Sequence, residues 1–208
     1  HWQHEPLALM PDEAYDRNGC YSGSAVDNEG VLTLCYTGNV KFDDGSRTAW
    51  QCLAVEQPDG TFTKLGPVLA LPEGYTGHVR DPKVWRHEDR WYMVLGAQDR
   101  QKCGKVLLFS SADLSQWTNE GEIAGAGING LHDAGYMWEC PDLFPLGDQH
   151  ILICCPQGIP GEEARYLNTY PAVWMAGGFD YASAAFTHGE LHELDAGFEF
   201  YAPQTMLT

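Results

Sequence analysis

VRDPKVWRHEDRWYMVLGAQ at residues 79–98 and WECPDLFPLGDQHILICCPQ at residues 138–157 lie over one another without a gap. In that register Arg80 falls on Glu139, Pro82 on Pro141, Val84 on Leu143, Trp85 on Phe144, Asp89 on Asp148 and Gln98 on Gln157. The step is 139 − 80 = 59 residues. Each copy reads as a β-hairpin, with an apolar run, a polar turn (HEDR, LGDQ) and a second aliphatic or aromatic run. One step back sets Ser22 under Asp81 and finds YSGSAVDNEGVLTLCYTG, again strand, turn and strand. A similar step forward brings Tyr201-Ala202-Pro203 over Glu139-Cys140-Pro141. Between the copies lie second hairpins, QCLAVEQPDGTFTKLGPVL, KVLLFSSADLSQWTNEGEI and AVWMAGGFDYASAAFTHGEL, with turns expected at PDG, SADLSQ and GGFD. Two hairpins per step suit a four-stranded blade, so the pattern predicts an all-β propeller with no long amphipathic helix. A β-sandwich with coincidental spacing is the competing fold.

The repeat also predicts where chemistry gathers. The innermost strand of every propeller blade lines the central channel, so equivalent repeat positions converge on one axis. Those positions are Tyr21 and Ser22, Arg80 and Asp81, Glu139, and the cluster Glu199-Phe200-Tyr201. Carboxylates accept hydrogen bonds from sugar hydroxyls and aromatic faces stack on C–H surfaces, so such a ring suits a neutral sugar. The plainer alternative is structural, with Arg80 pairing Asp81 or Glu139 as a buried ion pair. Prolines follow both carboxylates closely, and proline interrupts ladder pairing, which favours side chains aimed out of the sheet.

Bulk composition narrows the partners. With 12 Lys and Arg against 29 Asp and Glu, the formal charge is −17, which excludes a nucleic-acid binder and weighs against an anionic membrane. No transmembrane run or signal peptide is seen. The seven cysteines lie in apolar settings such as LTLCY and ILICC, without a C-x-x-C pair, and read as small buried residues of a reduced, cytoplasmic protein. His188 and His192 stand four apart, a zinc spacing on a helix, but THGELHEL lacks helical amphipathicity, and no metal or cofactor is expected. The sequence is silent on oligomeric state.

Arg80-Asp81-Pro82 together with Trp138-Glu139-Cys140-Pro141-Asp142 resembles the glycoside hydrolase family of invertases, inulinases and sucrose-6-phosphate hydrolases. The resemblance extends from GCYSGSAVD to ELDAGFEFYAPQ, essentially the whole chain. It implies a five-bladed propeller followed by a β-sandwich, and cleavage of β-fructofuranosides with retained configuration. The expected fold is therefore an incomplete five-bladed propeller, with residues 1–208 belonging to one catalytic propeller domain, three to four blades present and the sandwich absent. By resemblance Glu139 is the general acid/base and Asp81 the transition-state stabiliser, kept ionised by Arg80. Tyr21 and Ser22 match the aromatic-serine pair that contacts the fructosyl unit, and Arg80 and Tyr201 join them as substrate contacts. Two departures stand out. The family's nucleophile motif N-D-P-N-G occurs nowhere here, so the chain is expected to be an internal piece, inactive alone. The family's D-F-Y-A reads Glu199-Phe200-Tyr201-Ala202, and the longer acid keeps Glu199 off the contact set.

The expected substrate is sucrose, sucrose 6-phosphate or a short fructan. Lys41, Arg47, Lys102 and Arg165 are candidate cations for a 6-phosphate, each reading first as ordinary surface charge. Trp85, Trp117 and Trp138 read as blade core. An arabinanase-like or xylosidase-like propeller, and a non-catalytic sugar-binding propeller, are the alternatives.

Overall fold

The computed structural model describes residues 2–132 and 134–206. No helix occurs among them, and the strands form three antiparallel sheets. The first runs in chain order through β1 (Cys20–Asn28), β2 (Val31–Lys41), β3 (Arg47–Glu56) and β4 (Phe62–Leu69). The second does the same through β5 (Tyr75–His87), β6 (Arg90–Asp99), β7 (Gly104–Ser111) and β8 (Thr118–Gly125). The third is β9 (Met137–Leu146), β10 (Gln149–Gln157), β11 (Val173–Asp180) and β12 (Ala185–His188), with β13 (His192–Glu193) also paired to β11. These are three propeller blades. The forward step at Tyr201-Ala202-Pro203 carries no strand among the described residues.

Strand periodicity explains the stacking. Side chains alternate faces along a strand, and the β6 sequence WYMVLGA is apolar throughout because both faces of its sheet are covered. Met93 and Leu95 join Leu107, Phe109, Val79, Cys35 and Leu53 in the core shared with the first sheet. Tyr92 and Val94 join Val106, Leu108, Trp138, Leu152 and Met175 in the core shared with the third. Trp138 is fully buried, Trp85 stacks on Tyr92 and Trp117 packs beside the former core, so all three tryptophans serve the blades. Gly96 and Gly104 permit close approach between the second and third sheets: a Cβ at either would run into the Trp138 carbonyl or ring.

The first strands lie side by side, β1 against β5 and β5 against β9. One repeat position makes each link. Ser24 Oγ donates to Pro82 O (2.8 Å) and accepts from Val84 N (2.9 Å). One step on, Lys83 Nζ donates to Asp142 Oδ2 (3.0 Å). One step further, Asp142 Oδ2 accepts from Thr205 N (2.5 Å), which docks the segment after Glu199 on the third sheet.

One sequence expectation differs in detail. The GGFD turn is absent: β11 runs through it and the chain turns at residues 181–184. Gly177 serves approach, since a Cβ there would meet Thr187 O on β12. His188 and His192 fall on short strands, in keeping with the lack of helical amphipathicity in THGELHEL.

Candidate active site

The same irregularity interrupts each innermost strand. Pairing of β1 with β2 shifts between Tyr21 and Gly23, leaving Ser22 extra. Pairing of β5 with β6 shifts between Arg80 and Lys83, leaving Asp81 and Pro82 unpaired. In β9, Glu139 pairs Cys155 and Asp142 pairs Ile153, so Cys140 and Pro141 are skipped. Asp81 (φ 64°) and Cys140 (φ 49°) are left-handed, as is Ala202 (φ 53°) one step later. Non-glycine residues hold that conformation at a cost of roughly 1–3 kcal/mol, and the bulge turns the neighbouring side chains away from the ladder.

The result is one cleft of about 320 Å³ lined by Tyr21, Ser22, Arg47, Arg80, Asp81, Glu139, Cys140, Tyr201 and Ala202. All six residues singled out from repeat and motif, Tyr21, Ser22, Arg80, Asp81, Glu139 and Tyr201, are therefore brought together. Glu199 is not among the lining residues, as the departure from D-F-Y-A suggested.

Asp81 is buried, at 7% exposure. Its backbone N–H donates to Thr37 Oγ1 (3.0 Å), and Thr37 in turn donates to Gln51 Oε1 (2.7 Å), fixing the bulge from the neighbouring blade. Its Oδ2 accepts from the Cys140 backbone N–H (3.0 Å). Arg80 was expected to hold Asp81 ionised; it does favour the charged form, but other influences are larger. Burial pushes the Asp81 carboxyl up, opposed first by the Cys140 N–H and then by Arg80. The guanidinium lies 3.9 Å from Asp81 but turns to Glu139, donating from Nε (3.1 Å) and Nη2 (2.6 Å) to Oε1.

Glu139 Oε2 accepts from Gln157 Nε2 (2.8 Å) and from the Tyr201 phenol. Burial and then the Glu139 carboxylate push the Tyr201 hydroxyl up, so it stays a neutral phenol beside Glu139. The Cys140 thiol is likewise pushed up, first by burial and then by Asp81, which leaves it an unreactive packing group.

Sequence reasoning missed two parts of this site, Gln157 and Cys140, and offered a third, Arg47, only as one of four candidate cations. Gln157 was legible as the repeat mate of Gln98, and Cys140 as the mate of Asp81. Arg47 had no such signal beyond its charge. Of the four candidate cations only Arg47 lines the cleft; Lys41 and Lys102 are exposed, and Arg165 pairs with Glu162 (2.5 Å).

Comparison with known proteins follows the same lines. Residues 1–208 match the family described as glycosyl hydrolases family 32 N-terminal domain. A sucrose-6-phosphate hydrolase of Salmonella typhimurium is 86% identical over the whole chain, which spans 45% of that protein. The solved sucrose-6-phosphate hydrolase of Lactobacillus gasseri is 35% identical with a TM-score of 0.89, covering 98% of this chain and 42% of its own. A mutant of the Bombyx mori β-fructofuranosidase solved with sucrose is 39% identical with a TM-score of 0.87, covering 98% and 43%.

Proposed function

Because the chain belongs to glycosyl hydrolases family 32 and spans less than half the length of its relatives, we propose that it supplies part of the catalytic domain of a retaining β-fructofuranosidase. The substrate would be sucrose or sucrose 6-phosphate, with no metal or cofactor required. The observation that carries the reading is the meeting of Asp81, Glu139, Arg80, Tyr21, Ser22 and Tyr201 in one cleft.

Retaining hydrolysis places two carboxyl groups about 5 Å apart across the scissile bond. Glu139 serves as the acid/base: it protonates the leaving oxygen, then takes a proton from the water that releases fructose. Arg80 can only donate and holds Oε1, so the proton belongs on Oε2. There Tyr201 is the useful partner, because a phenol accepts from a protonated carboxyl and donates to an ionised one. Asp81 grips fructosyl hydroxyls that shift as the ring flattens toward the oxocarbenium-like transition state. No residue here matches the nucleophile motif, so residues 1–208 alone should turn over sucrose negligibly. In a full-length protein Glu139→Gln should lower kcat on sucrose by roughly 10³-fold. Steady-state sucrose hydrolysis tests this, and near-normal turnover by the variant would remove Glu139 from its role.

A further inference from the structure

Two guanidinium groups line the cleft, and only one has a carboxylate partner. Arg80 is neutralised by Glu139 at 2.6 Å. Arg47 makes no salt bridge among the described residues, in a chain with 29 acidic side chains against 12 basic ones. Its contacts are neutral. Nη2 donates to Oδ1 of buried Asn39 (2.5 Å), Nη1 meets His78 Nδ1 (3.3 Å), and the Tyr21 ring lies 6.0 Å from its carbon centre. Nε is buried and has no acceptor among the described residues. A half-buried arginine fixed by neutral groups keeps an uncompensated charge, which is costly unless an anion joins it.

His78 explains how two cations share one wall. Its Nδ1 also receives Arg80 Nη1 (3.0 Å), so it accepts from both guanidinium groups and the ring is neutral. Burial, then Arg47 and Arg80, push the imidazole down to about 4, so at neutral pH it separates the arginines without adding charge. The chain Arg47, His78, Arg80, Glu139 puts the uncompensated guanidinium three hydrogen bonds from the carboxyl assigned to the leaving oxygen.

We propose that Arg47 binds a phosphomonoester on the leaving sugar and thereby sets the preference of the cleft for a sugar phosphate over the free sugar. A planar fork of donors fits phosphate oxygens in pairs, and Asn39 and His78 hold that fork rigid. This rests on the fructoside-hydrolase reading and adds which substrate it favours.

The test uses the full-length protein, comparing kcat/KM on sucrose 6-phosphate with that on sucrose. Arg47→Gln should lower the ratio of the two by roughly 30-fold or more, carried mainly by KM. Arg47→Lys, which keeps the charge but loses the fork, should fall part of the way. A merely structural Arg47 would depress both substrates together, so an unchanged ratio overturns the proposal. Calorimetric binding to the unaltered protein needs neither turnover nor a folded variant. Glucose 6-phosphate should bind at least about tenfold more tightly than glucose and than inorganic phosphate. Equal affinity for the two sugars, or phosphate binding as well as the sugar phosphate, overturns it. Preference for glucose 6-phosphate without hydrolysis of either fructoside would instead sink the hydrolase reading and leave this site standing.

Discussion

The hairpin β5–β6 and the hairpin β9–β10 are the same object built twice. Both first strands break pairing at the same step, both place a left-handed residue there, and both follow it with proline. What differs is the chemistry set on the shared frame. The second blade presents His78, Arg80 and Asp81; the third presents Met137, Glu139 and Cys140 at the matching positions. Asp81 and Cys140 occupy equivalent bulges and meet, the Cys140 N–H bonding the Asp81 carboxylate. Arg80 and Glu139 occupy equivalent positions and also meet, as an ion pair. A repeated backbone thus turns unlike residues toward each other, and the site is a product of the divergence between copies.

The sharpest way to break the pairing is to remove its charges one at a time. In a full-length protein Glu139→Gln keeps the shape of the third blade and loses the transferable proton, the roughly 10³-fold loss given above. Asp81→Asn in the second blade should cost roughly 10²-fold in kcat, because an amide oxygen still receives the Cys140 N–H while the charge is gone. Steady-state kinetics on sucrose orders the two. A larger loss for Asp81→Asn would mean that the second blade carries the proton chemistry.

The frame itself was readable, because gapless similarity reports backbone equivalence, and alternation in WYMVLGA and ILICC reports burial. The site residues were readable to the extent that they sit at repeat positions or in the two motifs. Arg47 was not. It enters the cleft from β3, outside the innermost strands, and its meaning comes from lacking a carboxylate, which no linear pattern records. Both carboxylates were readable as partners of Arg80, but not that its shorter contacts go to Glu139, since adjacency in sequence favours Asp81. The GGFD turn failed for a related reason: glycine marks close approach as readily as it marks a turn.

Across from the site-bearing strands the two hairpins differ again. Arg80 pairs Gly96 and Glu139 pairs Cys155, which are one repeat step apart. Gly96 lies under the Trp138 backbone with no room for a Cβ, whereas Cys155 has its thiol facing the Ala202 N–H (3.3 Å). Gly96→Ala should therefore destabilise by roughly 1–3 kcal/mol through overpacking at the blade contact. Cys155→Ala removes one sulfur atom and should cost less. Thermal or denaturant unfolding of the two variants checks the order, and equal losses would deny that the blades press tightly at Gly96.

The smallest effect sharpens the comparison at its outer end, where His78 stands in the second blade and buried Met137 in the third. With its imidazole pushed down to about 4, His78 is neutral in the folded protein over a range where an unfolded chain, titrating near the ordinary 6.5, takes up a proton. Its contribution to stability is therefore present above about 6.5 and is lost as pH falls toward 4. Ring resonances of His78 followed by NMR in the intact protein should show a midpoint near 4. Arg47→Gln removes one of the two like charges and should raise that midpoint part of the way, while burial and Arg80 keep it below the ordinary value. A midpoint near 6.5 in the unaltered protein would mean that His78 does not bridge the two arginines, and the neutral spacing of the cationic wall would fall with it.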